Sequence, residues 1–324
     1  EVIRHSPLLP LWEKQFKEDA IVRSAYHGTH IEGNMLKQDE AKDVLLGKDV
    51  LGRPRDIQEI INYRKVIELI DEEAQKKIDK ITEQLIKKLH RTITQKILGP
   101  EQSGEYRLKQ VVIRNSSNGE ITFRPPASME IPFLMREFVY WINKENADEI
   151  HPVLRAGIVH HELVRIHPFI DGNGRVGRIL ASLILFLGGY DIRRFFSLEE
   201  YYDRDAVVYY EHLGKATAGD LTSWLEYFTY GAAIEFTKTK EKILKLSKDV
   251  KLKERMGGKQ IFLTERQIKI IEYIQEVGYL QNKSFSTLFS DISEDSVLRD
   301  VQDLIKKGII KKVGSTKSAR YVTV

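Results

Sequence analysis

The segment 167–178, which reads HPFIDGNGRVGR, constrains the fold of this chain more than any other. Apolar runs on either side of it predict one helix over 153–166 and another over 179–187. Pro168 pushes the residue before it out of helical geometry, so His167 should close the first helix. The segment therefore predicts a helix–loop–helix joint whose polar residues gather in the loop.

The loop carries the residue types of a phosphate site. It ends where Asn173 and Gly174 are well suited to open a helix, and the unpaired N–H groups and dipole of a helix start attract anions. Glycines in the loop let the backbone approach a ligand closely. Arg175 and Arg178 stand three apart on the first turn, where they can add charge-assisted bonds to phosphate oxygens. The pattern favours a nucleoside triphosphate as ligand.

Two further side chains suggest chemistry at this site. Asp171 is a single carboxylate among several cationic residues, which is expected if it binds a Mg²⁺ ion that bridges a diphosphate. His167, with an ordinary pKa of about 6.5, is the natural general base for an attacking hydroxyl. The alternative is a glycine-rich helix connection with ordinary surface charges. It accounts for each residue alone but not for the set.

The segment resembles the signature HPFx[D/E]GNGRxxR of Fic-domain proteins at every specified position. In that family the usual reaction is AMPylation, the transfer of AMP from ATP to a protein hydroxyl. A sister branch that phosphorylates its target, the Doc kinases, has Lys where this chain has Gly174, which favours AMP transfer here. The resemblance implies ATP as substrate, Mg²⁺ as cofactor, and these roles: His167 as base, Asp171 as metal ligand, and Gly172, Asn173, Gly174, Arg175 and Arg178 on the phosphates.

A second segment resembles a regulatory motif of the same family. Gly28-Thr29-His-Ile-Glu32-Gly33 is similar to the string (S/T)xxxE(G/N), except that Gly28 stands at the Ser/Thr position and Thr29 comes one residue late. The resemblance implies that Glu32 bonds Arg178 and blocks the productive position of the γ-phosphate. The sequence pattern before this segment predicts a helix from about Pro10 to His27. From residue types alone, Gly33-Asn34 is a helix stop and Glu32 is a solvated acid.

The region 110–126 contains two β-rich runs around Asn118-Gly119, which predict a β-hairpin in an otherwise helical chain. A surface hairpin without a function is one interpretation. The resemblance implies the family's flap, which holds a target protein by strand pairing, with Ile113 near the adenosine or the target side chain. A target protein bound along the flap near Ile113 is thus the expected partner.

Farther along the chain, Tyr209-Tyr210 resembles a family pair that encloses the nucleotide base. Thr217, seven residues beyond the second Tyr, stands where an Asn is commoner. Aromatic pairs most often simply pack a core, and the sequence leaves that alternative open.

The C-terminal part differs in character. From 238 to 260 nine Lys and Arg residues stand against three Asp and Glu, which indicates a basic helical linker. Beyond it, helices over 265–277, 284–288 and 293–307 and two strands are similar to a winged helix-turn-helix. The third helix is predicted to turn Asp295, Asp300 and Asp303 outward, where they repel DNA phosphates. Basic residues follow at the tip, so DNA and protein both stay open as partners: Lys306, Lys307, Lys311, Lys312, Lys317 and Arg320.

The predicted fold class is mainly α: an all-helical Fic core with a β-hairpin flap, and a small α+β winged-helix domain at the C-terminus. The predicted parts are an N-terminal helical region with the inhibitory helix at 1–97, a Fic catalytic core at 98–237, the basic linker at 238–260 and the winged helix-turn-helix at 261–324.

Composition limits the kinds of site and the cellular location that we expect for this chain. The chain has no cysteine, which excludes disulfides, Cys-based zinc sites and Cys nucleophiles. Its most apolar run, 179–187, is far shorter than the roughly 20 residues of a membrane span, and no signal-peptide pattern occurs, so we expect a cytoplasmic protein without a membrane partner. Fic proteins often dimerise, but the sequence has no patch that predicts a homodimer.

Three functions remain open. The first is a protein adenylyltransferase that modifies a Ser, Thr or Tyr hydroxyl and is inhibited by Glu32. The second is a DNA-binding transcriptional regulator whose Fic domain senses nucleotide. The third is a de-AMPylating enzyme in which Glu32 positions water at the same site.

Overall fold

The computed structural model describes residues 10–114, 119, 121–144, 149–190, 195–255, 263–289, 292–314 and 319–324. The chain divides into two units, Glu1–Lys245 and Leu246–Val324. Helices dominate the first, and the last of them continues past its boundary. They are α1 (Pro10–His30), α2 (Gln38–Leu45), α3 (Pro54–Gln75), α4 (Glu83–Thr94), α5 (Ile131–Ile142), α6 (Pro152–Ile166), α7 (Asn173–Leu187), α8 (Leu198–Asp203), α9 (Ala206–Thr217) and α10 (Leu221–Arg255). The mainly α fold class is confirmed.

The predicted joint is the centre of the first unit. Helix α7 begins at Asn173 as predicted, and it is buried along most of its length because α6, α3 and α4 pack around it. The core is continuous from Ala25 and Ile60 in the N-terminal region to Val176 and Trp224 in the predicted catalytic core. Residues 1–97 and 98–237 therefore share one hydrophobic core. Among the described helices, none has the length and apolar character needed to cross a membrane.

Helix α1 runs farther than predicted, to His30 rather than His27. Gly28 does not interrupt it, because the helix passes so close to α3 there that a Cβ on Gly28 would overlap the Tyr63 ring. The missing Ser/Thr of the regulatory motif thus has a steric cause. The hydroxyl of Thr29 instead bonds back to the Ala25 carbonyl of its own helix.

Polar pairs attach α1 to α8. Arg23 Nη1 lies 2.6 Å from Glu200 Oε2. One turn and two turns later, the Nδ1 atoms of His27 and His30 each lie 2.7 Å from an oxygen of Asp203. Apolar residues of α1 are buried at the same time, so the helix is fixed by both packing and ion pairs.

The predicted hairpin consists of β1 (Ile113–Arg114) and β2 (Ile121–Phe123), which pair antiparallel with Ile113 opposite Phe123. Its strands are shorter than the apolar runs suggested. Gly119 has the positive φ of 72° expected in such a turn, while Asn118 lies outside the described residues.

The second unit has its own core. It contains α11 (Glu265–Val277), α12 (Phe285–Leu288), α13 (Glu294–Lys306), β3 (Ile310–Val313) and β4 (Arg320–Thr323). The two strands pair antiparallel, and Leu280 adds a bridge to Tyr321. Lys317 of the predicted basic tip lies outside the described residues.

The acidic face of α13 differs from the prediction. Asp300 does not point outward; it is buried, with its Oδ2 2.7 Å from Arg266 Nε on α11. Asp303 accepts a 2.7 Å hydrogen bond from Gln267 and also pairs with Lys307. These carboxylates neutralise groups within the unit because α13 packs on α11 along this face. Asp300 and Asp303 therefore repel DNA phosphates less than predicted, whereas Asp295 is exposed as predicted.

Candidate active site

The turn between α6 and α7 is held in an unusual backbone shape. His167 has φ 51° and ψ 56°, a left-handed conformation that is costly for a non-glycine residue, and Gly172 has φ 79°. The Asn173 side chain closes the turn by accepting the Phe169 N–H and donating to the Phe169 carbonyl, both at 2.9 Å. Asn173 is thus placed as a brace of the loop.

The His167 ring makes a hydrogen bond through one of its two nitrogens. Its Nδ1 lies 3.2 Å from the Val164 carbonyl, which can only accept, so Nδ1 carries the proton and Nε2 has a free lone pair. Burial lowers the pKa of His167 below its ordinary value. A neutral imidazole at pH 7 is the state that a general base needs.

Asp171 has two cationic neighbours. Its Oδ2 lies 2.7 Å from Arg55 Nη2 and its Oδ1 lies 3.2 Å from Arg175 Nη2, and Oδ1 also accepts the Gly172 N–H. Burial opposes the charge of this carboxylate, but Arg175 and Arg55 more than offset it, so the pKa of Asp171 is lowered. The group is ionised and remains one-third exposed, at 34%.

Arg175 is buried, and a carboxylate that the motif does not contain holds it. Glu59 Oε1 on α3 lies 3.0 Å from Arg175 Nη1 and 3.1 Å from Arg55 Nε. The sequence interpretation missed Glu59. The sequence contains only the three-residue spacing of Asp56, Glu59 and Asn62, which places them on one helix face. The structure adds that all three are buried.

Arg178 is also buried, and it meets the predicted regulatory segment. Its Nη2 donates to Glu32 Oε1 at 2.7 Å and to the Gly28 carbonyl at 2.9 Å. Gly174 lies against the same carboxylate, since a Cβ on Gly174 would overlap Glu32 Oε1. Glu32 therefore covers the first turn of α7.

His90 on α4 is a second buried residue that the sequence interpretation missed. Its ring stacks on Phe169 with centroids 3.8 Å apart, its Nδ1 accepts the Gly104 N–H at 2.8 Å, and its Nε2 donates to the Asp171 carbonyl at 2.9 Å. Burial lowers the pKa of His90 to about 4. Its neutral ring therefore supports the loop from behind.

The remaining predicted residues are farther from this network. Tyr209 is fully buried, with its hydroxyl 3.4 Å from Arg178 Nη1. It therefore lies behind the arginine and has no exposed surface that a nucleotide base could contact. Tyr210 is half-exposed, with its hydroxyl 3.5 Å from the Ile31 carbonyl. Thr217 is exposed and its Oγ1 lies 3.2 Å from His161 Nε2. Ile113 is half-buried in β1.

The described residues of this turn include few ligands for a metal ion. Among the described residues no group of three or more His, Cys, Asp or Glu side chains could hold a metal ion. Asp171 is a single ionised carboxylate beside a helix N-terminus. This fits a Mg²⁺ ion that keeps most of its waters and is held chiefly by substrate phosphates.

Comparison with known proteins finds similarity to one family. The Fic/DOC family profile matches residues 80–185. The protein adenylyltransferase Fic of Drosophila melanogaster is 34% identical over 179 residues, which make up 55% of this chain and 35% of that protein. This chain thus spans about a third of the curated relatives that it matches.

Two solved structures have a similar fold. A Fic domain-containing signaling protein from Bacteroides thetaiotaomicron has a TM-score of 0.64 at 25% identity, covering 76% of this chain and 97% of that one. A Fic family protein from Desulfovibrio desulfuricans has a TM-score of 0.61 at 21% identity, covering 98% of this chain and 88% of that one, which shows the fold alone. Together with the profile match, these similarities show that residues 80–185, which include the 167–178 turn, are similar to the Fic/DOC family.

Proposed function

We propose that this chain is a protein adenylyltransferase, which transfers AMP from ATP to a Ser, Thr or Tyr hydroxyl of a target protein and of itself. The observation that carries the proposal is the placement of a neutral His167 next to an anion-attracting helix start that bears Arg175 and Arg178. The name of the Drosophila relatives supports the same reaction.

In the proposed reaction the acceptor oxygen attacks the α-phosphorus of ATP, and the bond from that phosphorus to the bridging oxygen of pyrophosphate breaks. His167 Nε2 takes the hydroxyl proton. Gly172, Asn173 and Gly174 form the phosphate cradle at the start of α7. Arg175 and Arg178 stabilise the charge that develops on phosphate oxygens, the main contribution that a protein makes to this chemistry.

Asp171 is the proposed Mg²⁺ ligand. When bound, the ion would supply charge neutralisation for the diphosphate. Arg55 is bonded to the same carboxylate oxygen in this structure. It therefore has to leave that oxygen when a metal takes it. Tyr210 and Thr217 are the proposed contacts of the nucleotide base. Tyr209 contributes by holding Arg178.

We also propose that Glu32 inhibits this site. Arg178 is engaged by Glu32 at 2.7 Å, so it is not available to a phosphate. The carboxylate covers the first turn of α7 and repels a γ-phosphate there. The hairpin carrying Ile113 is the proposed docking edge for the target segment, by strand pairing.

A regulator that binds DNA through the second unit is the other candidate function. One observation favours it: Asp300 and Asp303 are paired inside the unit, whereas Lys311 and Lys312 on β3 are exposed. Such a winged-helix module would add a DNA or protein partner to a cytoplasmic enzyme, as a monomer or as a homodimer.

Incubation with MgATP labelled at the α-phosphate tests the proposal. We expect covalent label on the protein itself and on lysate proteins, and no label with His167→Ala. His167→Ala should retain its circular dichroism spectrum, since the ring makes only one hydrogen bond, to Val164. Absence of label from the wild type and from Glu32→Gly would leave the nucleotide-sensing regulator as the better function.

A further inference from the structure

Arg107 is a buried cation whose hydrogen bonds, among the described residues, include none to a carboxylate. The residue is only 4% exposed. Burial lowers the pKa of its guanidinium. A buried charge of this kind is costly unless every donor is satisfied by a well-placed acceptor.

The acceptors of Arg107 are all backbone carbonyls. Nε donates to the His167 carbonyl at 2.8 Å, Nη1 to Lys109 at 3.0 Å and Nη2 to Pro126 at 2.6 Å. The Arg107 main-chain N–H donates to the Pro168 carbonyl at 2.9 Å. One residue therefore joins the segment before β1, the segment after β2 and the left-handed turn that carries the base.

These three segments are far apart in sequence. Arg107 is 60 residues from His167 and 19 from Pro126. The guanidinium is a rigid, planar fork, so it fixes both the distances and the directions of the carbonyls around it. A lysine has the charge but not the fork, and it cannot hold three carbonyls in one plane.

We propose that Arg107 is a positioning residue that sets the distance between the hairpin and His167. The inference rests on the proposed transfer reaction, in which the hairpin is the edge where the acceptor segment docks. Arg107 joins the segments that flank both hairpin strands to the turn that carries His167. It thereby brings the acceptor hydroxyl within reach of His167 Nε2. It does not contact the nucleotide.

The test compares Arg107→Lys and Arg107→Gln in a Glu32→Gly background. Arg64→Lys is the matched control, because Arg64 also donates to a backbone carbonyl, that of Leu45, but lies on α3 outside the site. Circular dichroism first checks that each variant is folded. The affinity for α,β-methylene-ATP, measured by calorimetry, should stay within about twofold of the parent because Arg107 does not touch the phosphates.

The rate of self-labelling at saturating MgATP should fall by between about ten- and a hundredfold in both Arg107 variants, as expected for a misplaced reactant. Hydrogen exchange at amides of 110–114 and 121–124 should become faster in both and stay unchanged in Arg64→Lys. The positive charge of Arg107 also lowers the pKa of His167. The pH–rate profile should therefore shift to higher pH in Arg107→Gln but not in Arg107→Lys.

The outcomes separate the two proposals. Labelling by Arg107→Lys at the parent rate, or unchanged hydrogen exchange in the hairpin, overturns the positioning role. Weakened nucleotide binding in Arg107→Lys also overturns it, because the arginine would then act on the phosphate site. Absence of label in the Glu32→Gly parent overturns the transferase function itself, whatever the hairpin amides show.

Discussion

At the residue scale, the proposed inhibition depends on the contact between Glu32 and Arg178. Arg178 is buried and makes its 2.7 Å bond to Glu32 on the side of the α7 start. A hydrogen bond between charged groups is worth roughly 1.5–3 kcal/mol. Removal of the Glu32 carboxylate should therefore free Arg178 to bind phosphate, and the change in activity should be large enough to measure.

We expect Glu32→Gly to raise self-labelling by roughly ten- to a hundredfold, the rate equivalent of that bond. Glu32→Gln, which keeps the volume but not the charge, should give an intermediate rate. The measurement is label per protein at saturating MgATP, and Glu32→Gly combined with His167→Ala is the control that should show none. Equal rates for mutant and wild type contradict inhibition. Loss of AMP release from a labelled protein in Glu32→Gly would instead identify a de-AMPylating enzyme.

Residues of the site differ in how far sequence can predict them. His167, Asp171 and Arg175 are neighbours in one segment, so their shared chemistry is visible without a structure. Glu59 and Arg107 act over separations of 116 and 60 residues, which only tertiary packing brings together. The Glu32–Arg178 pair was predicted across 146 residues, but from resemblance to a family and not from physical pattern.

At the element scale, helix α4 supports the loop through the uncharged ring of His90. The ring accepts from Gly104 and donates to Asp171, and protonation would remove its acceptor. Because the pKa of His90 is about 4 in the folded protein and about 6.5 when unfolded, the unfolded chain binds the proton more strongly. Stability from this group is present above pH 6.5 and is lost as pH falls toward 4.

The expected loss between pH 7 and pH 5 is roughly 2 kcal/mol for this one ring. His90→Gln should lower the free energy of unfolding at pH 7, because it disturbs both hydrogen bonds, but should reduce its fall toward pH 5 by about that amount. Urea unfolding at the two pH values measures both effects. Parallel pH dependences in mutant and wild type would show that His90 titrates normally.

Elements were predicted best where one pattern controlled them. The start of α7 at Asn173 followed from local residue types, and α11 has the predicted bounds, Glu265–Val277, with Gly278 at its C-terminal cap. The predicted end of α1 at His27 was wrong by three residues. The reason for a glycine at position 28, the Tyr63 ring on another helix, leaves no trace in the local sequence.

At the scale of the whole molecule, each of the two units has a buried core of its own. All three tryptophans, Trp12, Trp141 and Trp224, lie in the first unit. Tryptophan fluorescence therefore reports unfolding of the first unit, whereas circular dichroism reports helices of both.

We expect Phe285→Ala, in the second core, to lower the stability of its unit by about 3–5 kcal/mol. Part of the circular dichroism transition should move to lower urea while the fluorescence midpoint stays in place. Phe228→Ala, an equally buried change in the first core, is the matched control and should shift the fluorescence midpoint. A fluorescence shift of the same size in Phe285→Ala would show that the chain unfolds as one cooperative block.

The attachment of α1 has a consequence for how inhibition could be relieved. The helix is packed into the common core through Ala25 and is tied to α8 at Asp203, so its departure would expose buried apolar surface. Glu32 lies just past its end, and its side chain is 27% exposed to solvent. Relief of the proposed inhibition then needs only a rotation of this one side chain away from Arg178, with the helix left in place. We therefore expect an activator to be a small group that competes for Arg178, not a partner that pulls a helix away.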